Sequence, residues 1–353
     1  MLQARISPPI VVALACVASL LVACAGEDTL EGPQVPSSAG DGGEEAAAAA
    51  PLATTTASST AANVPSTDIY LGRLDARGEA WRVTALRNAT AREGYDNQPR
   101  FVPGEGGGAF LFTSVREGQS DIYRYALPDG PATQVTDTPA NEYSATPLPG
   151  GAGSISVIRE LDGVQQLWRY GPEGQDRGQL FDALVAVGYH QWLDAEARWA
   201  AFFLVGEDGA ANTLVHARAP GREPALIAED PGRCLAMIPG REAMSFTRVG
   251  DAGVEIAAYD LATGSSEVIT PTVTPAATET QDYAWAPDGS VLMGDGAALW
   301  RWREGLGWKR LELEAAPGAA LPIAGQSITR IALSEAGPNG DGLWIALVVG
   351  GSK

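Results

Sequence analysis

Few residues in this 353-residue chain have the type and spacing for acid–base or metal chemistry. There are two histidines, His190 and His216. Neither has a second His or Cys at ligand spacing, so a zinc site would need distant carboxylates, and no metal or cofactor is expected. Cys234 sits in the apolar run Cys234-Leu235-Ala236-Met237, where a thiol packs more often than it reacts. There is no Gly-x-Ser-x-Gly elbow and no Gly-rich phosphate loop. The aspartates at Ser120-Asp121 and Pro287-Asp288-Gly289 do not follow the spacing of a calcium loop. What remains is a set of tyrosines, carboxylates and arginines that recur at one position of a repeat.

The repeat is marked by Phe101-Val102-Pro103-Gly104, which returns at Pro147–Gly150, Trp192–Ala195, Met237–Gly240, Trp285–Gly289 and Leu333–Gly337. From position 103 its equivalents are 149, 194, 239, 287 and 335, at intervals of 46, 45, 45, 48 and 48 residues. A period of that length means one supersecondary unit copied around an array. In the unit beginning at Asn97 the runs Gln98–Val102, Ala109–Ser114, Asp121–Leu127 and Thr133–Thr136 are short, rich in aromatic and β-branched residues, and fenced by Gly, Pro, Asp or Asn. Each reads as a strand, and four antiparallel strands make a propeller blade. The third strands carry Tyr123, Tyr125, Trp168, Tyr170, Tyr259, Trp300 and Trp302, expected to pack between blades. A fourth strand of the fifth unit is expected over Lys309–Leu313.

The two ends complete each other. Asp68-Ile-Tyr-Leu-Gly-Arg-Leu74 repeats Asp121-Ile-Tyr-Arg-Tyr-Ala-Leu127 and so is a third strand with no first or second before it; Ala80–Leu86 follows as its fourth. Thr329–Ser334 and Leu343–Val349 are a first and second strand with no third. The reading is an all-β, six-bladed β-propeller over residues 68–350, one blade closed jointly by both termini, which also removes open sheet edges.

Channel mouths of propellers lie where the innermost strands begin. Five residues before each recurring turn stand Gln98, Ser144, Tyr189, Cys234, Asp282 and Arg330; one residue further on come His190 and Tyr283; just upstream lie Asp96, Asn97, Glu142, Tyr143 and Arg233. This polar ring is the candidate binding surface. It is read as the site of a non-catalytic binding or scaffolding module. The competing reading is a carbohydrate- or small-molecule-active enzyme that uses channel carboxylates with His190 as an acid–base group.

The amino terminus reads as an address rather than fold. Arg5 precedes an apolar run, Ile10 to Val22, too short to span a bilayer. Leu21-Val22-Ala23-Cys24 resembles a bacterial lipobox. That resemblance implies cleavage of a 1–23 signal peptide and lipidation of Cys24, with several acyl chains for stable anchoring. Ala25 next to it is not the aspartate associated with inner-membrane retention, which favours the outer membrane in a two-membrane cell. Residues 24–67 form the expected tether: from Ala25 to Thr67 the chain has no Lys, Arg or aromatic residue and cannot offset its ordering entropy. As a random coil it reaches roughly 35 Å. With Cys16 and Cys24 so assigned, only Cys234 remains in the head and no internal disulfide is expected. The net charge of −19 argues against nucleic acid or an anionic membrane face as partner.

The Asp-Ile-Tyr third strands and Pro-Asp-Gly turn resemble the TolB-like propellers. So do Tyr95-Asp-Asn-Gln-Pro-Arg-Phe101, Phe112-Thr-Ser114 and Ser120-Asp-Ile-Tyr123. The resemblance spans about residues 68 to 349 and implies an exported, envelope-associated propeller that binds proteins. The binding-module reading itself leaves a protein, peptide or glycan open as the partner, with the head expected to be monomeric.

Overall fold

The computed structural model describes residues 65–351, apart from 77–79, 103–107, 219–222, 277–281, 319–320, 322, 324 and 336–341. The signal peptide, Cys24 and nearly all of the tether lie outside the described residues. Thr67, placed at the end of the tether by composition, is the first residue of β1.

The described chain opens with β1 (Thr67–Asp75) and β2 (Arg82–Asn88). Blade one is β3 (Asp96–Val102), β4 (Ala109–Arg116), β5 (Gln119–Ala126) and β6 (Ala132–Gln134). Blade two is β7 (Asn141–Pro147), β8 (Ile155–Leu161), β9 (Val164–Tyr170) and β10 (Asp176–Leu180). Blade three is β11 (Val187–Trp192), β12 (Trp199–Leu204), β13 (Thr213–Arg218) and β14 (Ala225–Glu229). Blade four is β15 (Ala236–Met237), β16 (Ala243–Gly250), β17 (Gly253–Asp260) and β18 (Ser266–Pro271). Blade five is β19 (Tyr283–Trp285), β20 (Val291–Asp295), β21 (Ala298–Arg303) and β22 (Gly307–Arg310), after which come β23 (Glu312–Ala315), β24 (Gln326–Leu333) and β25 (Leu343–Gly351).

The sixth blade is stitched from both ends, in the order β24-β25-β1-β2. β1 and β25 run antiparallel in unbroken register from Thr67–Gly350 to Leu74–Leu343, so the ring is closed by main-chain hydrogen bonds between the first and last strands. One strand was not expected. The run read as a single strand over 309–313 divides at Leu311, which is 5% exposed and packs in the core shared by blades five and six. Its second half, β23, leaves blade five and pairs parallel with β2, Arg82 opposite Glu312 and Val83 opposite Leu313. The composite sheet therefore has five strands, the others four.

Core lies between blades. Phe110, Phe112, Tyr123 and Tyr125 of blade one pack on Ile69, Leu71, Ala346 and Val348 of the composite blade, with the Phe110 and Tyr125 rings stacked at 4.9 Å. The third-strand aromatics divide by position. Tyr123, Tyr125, Tyr170 and Tyr259 are buried, whereas Trp168, Trp300 and Trp302 are half-buried, the first of them covered by the Arg159 guanidinium at 4.3 Å.

Candidate functional site: a polar plug in the channel

The innermost strands are bent where the candidate ring was expected. Bulges interrupt β3 between Asn97 and Arg100, β7 between Tyr143 and Thr146, β11 between Val187 and Tyr189, and β24 between Ile328 and Arg330. A bulge re-aims side chains and ends regular pairing. Gln98 and Ser144, inside two of these bulges, take φ of 56° and 53°.

Past the bulge in β24, Arg330 reaches over the channel. Its Nη2 donates to the Tyr189 hydroxyl at 2.9 Å, and its Nη1 meets Asp282 Oδ2 at 3.1 Å. Arg233 donates from Nε to Asp282 Oδ1 at 3.0 Å. Tyr189 and Arg330 belong to blades three and six, opposite members of a ring of six, so their hydrogen bond spans the channel. Asp282 is 9% exposed, and each of its oxygens is engaged by a guanidinium. Charge-assisted bonds of this kind are the strong ones. Burial pushes the Tyr189 phenol up, but the Arg330 and Arg233 charges outweigh it and bring it below its ordinary value. Tyr95, 8% exposed, adjoins the cluster; burial raises its phenol to about 12, although Arg330 pulls the other way.

A second polar layer was not anticipated. Arg100 donates from Nη2 to Gln191 Oε1 at 2.9 Å, joining blades one and three. Gln191 in turn donates to the Trp192 carbonyl at 2.8 Å. Burial holds the Arg100 guanidinium below its ordinary pKa. Between neighbouring blades, Gln98 Oε1 accepts from Thr113 Oγ1 at 2.6 Å and from the Ser144 amide at 2.9 Å.

Tyr189, Arg233, Asp282 and Arg330 thus come together as expected, with Gln98 and Ser144 joining blades one and two nearby. Other expected mouth residues turn away. His190 is 7% exposed and faces blade two, its Nε2 2.7 Å from Ser156 Oγ, to which Trp192 Nε1 also donates at 2.9 Å. Burial lowers its pKa to about 3, so the ring is neutral at ordinary pH. Tyr283 is 2% exposed, and its hydroxyl donates to Ser245 Oγ of blade four at 2.8 Å, as does Trp285 Nε1. The cause is the period of the strand. Residues one step from the channel-facing position point to the opposite face, which here is the preceding blade. Cys234 bonds the Tyr283 main chain (Sγ to O 3.2 Å), and burial pushes its thiol to about 12.

The upstream group is also drawn into blade junctions. Asp96 is fully buried and accepts from Ser114 Oγ at 2.6 Å and Arg92 Nη1 at 2.9 Å. Asn97 donates to Thr67 Oγ1 at 3.4 Å. Tyr143 packs against the core between blades two and three, and burial raises its phenol. Glu142, fully buried, accepts from Thr138 Oγ1 and from the Tyr170 hydroxyl at 3.0 Å. Beside it lies Asp121, 6% exposed, with its carboxyl raised to about 7 by burial and by Glu142. This carboxyl pair is buried in the joint of blades one and two, away from the Arg330 cluster. Among the described residues no group of three His, Cys, Asp or Glu is placed to hold a metal ion.

No protein-family model matches the chain, and no curated protein matches it significantly. Solved structures do match. The putative TolB of Agrobacterium tumefaciens superposes with a TM-score of 0.51 at 13% identity, over 82% of this chain and 100% of its own. The chain is a TolB-like propeller in fold. TolB of Acinetobacter baumannii gives 0.44 at 12% identity, over 80% of this chain and 63% of that one. The Xanthomonas campestris gluconolactonase XC5397 gives 0.48 at 12% identity, over 80% and 97%. At such identities the likeness is one of fold, and a propeller fold hosts both binding proteins and enzymes.

Proposed function

We propose that this propeller is a non-catalytic binding module of the bacterial envelope, engaging a protein, peptide or glycan at its channel mouth. By the same proposal it is held to a membrane through lipidated Cys24, the outer membrane where there are two. The observation that carries the reading is the Arg330–Tyr189 hydrogen bond across the channel, with Asp282 shared between Arg330 and Arg233. Side chains from four blades meet in one polar surface at that point. The enzyme reading needs a free acid–base pair in the channel. Asp282 already holds two guanidiniums, and His190 is neutral and bound to Ser156.

The test is crosslinking capture from intact envelopes with paired variants. Arg233→Ala and Tyr189→Phe are expected to lose a partner that the wild type and Leu226→Ser retain; Leu226 is 58% exposed on the outermost strand of blade three. Capture unchanged in the mouth variants, but lost on changing the outer strand, places the binding surface elsewhere.

A further inference from the structure

We propose that Arg233, with Arg330 and Tyr189 behind it, forms a subsite for a single carboxylate group of a peptide ligand. The proposal rests on the mouth-binding reading above and names the chemistry that the mouth takes. Arg233 is anchored by Nε on Asp282, which is itself buried and anchored by Arg330. Its side chain is nevertheless 38% exposed. No other hydrogen bond to its guanidinium is seen among the described residues, so its terminal nitrogens are left as an open fork. A fork held at Nε is pre-organised for the two parallel bonds that a planar carboxylate accepts. Tyr189 adds a second donor, because its oxygen accepts from Arg330 and its own phenolic hydrogen is left to give.

The charge balance points the same way. The cluster brings two guanidiniums against one carboxylate, Asp282. In the neighbouring layer Arg100 has Gln191, a neutral amide, as its hydrogen-bond partner. This is a positive spot within a chain of net charge −19. Charges farther from the cluster than the screening length, about 8 Å at physiological salt, are largely screened from a ligand group seated there, whereas an extended polyanion also meets the acidic surface around it. Inside that distance the local excess dominates, and one anionic group of modest charge is what it can accept. Nucleic acid and highly phosphorylated ligands are disfavoured on the same ground.

The experiment uses the whole chain and three probes: N-acetyl-trialanine with a free carboxylate, its C-terminal amide, and inorganic phosphate. Titration calorimetry is run alongside NMR of the arginine Nε–H groups. The free acid is expected to bind saturably and shift the Arg233 Nε resonance. The amide and the Arg233→Gln variant should bind at least about tenfold more weakly, or roughly 1.4 kcal/mol. Arg233→Lys should recover part of the affinity, as charge without the fork. Equal binding of acid and amide overturns the proposal. So does the absence of saturation by about 10 mM, which is under roughly 3 kcal/mol of binding, or phosphate binding tenfold tighter than the acid. If Arg233→Gln unfolds, the wild-type acid-against-amide comparison decides. A failed titration together with loss of partner capture in Arg233→Ala rejects the carboxylate while leaving the mouth reading standing.

Discussion

Thr138 stands in the joint between blades one and two where Arg92 stands in the joint before blade one. Each lies four residues upstream of a fully buried carboxylate on an inner strand, Glu142 and Asp96 respectively. Arg92 gives Asp96 a guanidinium at 2.9 Å; Thr138 gives Glu142 only a hydroxyl. On the neighbouring third strands, Asp68 is held by Asn88, Thr90 and the Arg92 amide, while its repeat equivalent Asp121 has Gln134 and lies against Glu142 and Asp137. Among the described residues no cation is paired with Glu142 or Asp121, and the raised Asp121 carboxyl is what a neutralising proton in its place would give.

The consequence is a pH dependence with a definite sign. Burial and Glu142 raise the Asp121 carboxyl to about 7 in the folded chain, against about 3.9 when unfolded. The native state then binds the extra proton across that window. Its stabilising contribution is complete below the unfolded value and is lost as pH rises through about 7. Unfolding free energy from urea melts is expected to fall between pH 4 and 7 in the wild type. Asp121→Asn should flatten the curve, and Thr138→Arg should do so by restoring the cation. A wild-type curve that rises over that window contradicts the shared proton.

Ring closure gives a second prediction. β25 lies between β24 and β1 in the composite sheet, so deleting residues 343–353 removes both neighbours' partner and exposes two strand edges at once. Loss of cooperative unfolding, with aggregation through the bared edges, is the expected outcome. The parallel clasp of β23 on β2 is an additional closure, tied by the exposed Arg82–Glu314 pair at 3.4 Å. Arg82→Ala should cost little, about 0–1 kcal/mol. Leu311→Ala, which empties a core position between blades five and six, should cost roughly 2–5 kcal/mol. A deletion that melts as sharply as the parent, followed by calorimetry, removes the two-ended closure.

How legible each feature was follows from what its signal depends on. The ring, the blade count and the shared blade were readable because Asp68-Ile-Tyr70 copies Asp121-Ile-Tyr123 and because the turns recur at a nearly constant interval. β23 was not, since the switch at Leu311 depends on what the leucine finds across a blade boundary rather than on local pattern. Within the site, Tyr189, Asp282 and Arg330 were found by register, which is a property of the repeat. Arg100 and Gln191, two residues on from Gln98 and Tyr189, were missed, although the period of a strand was a signal that could have found them. The inward turn of His190 and Tyr283 follows the same period, read in the other direction. Asp96 is consumed by near neighbours, Arg92 four residues upstream and Ser114 opposite it on β4, a local signal that was missed. Glu142 meets Tyr170 of its own blade and Asp121 of the blade before, and only the second of these depends on how blades pack.

The last prediction concerns Ser156 and Ser245, small hydroxyls on the second strands of blades two and four. Each receives two aromatic side chains from the inner strand of the next blade: His190 and Trp192 on Ser156, Tyr283 and Trp285 on Ser245. A serine oxygen has two lone pairs, and both are used by Tyr283 and Trp285. Ser245→Ala therefore leaves a buried hydroxyl and a part-buried indole N–H without their acceptor. The expected cost is roughly 1–3 kcal/mol for each group left unsatisfied. Tyr283→Ala should be worse, roughly 3–5 kcal/mol, because a ring that is 2% exposed leaves a cavity. Tyr283→Phe in the Ser245→Ala background should recover part of the loss, since it removes the orphaned donor while keeping the ring. These stabilities come from denaturant melts of the three variants against wild type. The sequence placed Tyr283 at a solvated mouth, where its removal would hardly affect stability and would weaken binding. A stable Tyr283→Ala with impaired partner capture would restore that placement; an unstable one, with Ser245→Ala following it, assigns the tyrosine to the joint between blades four and five.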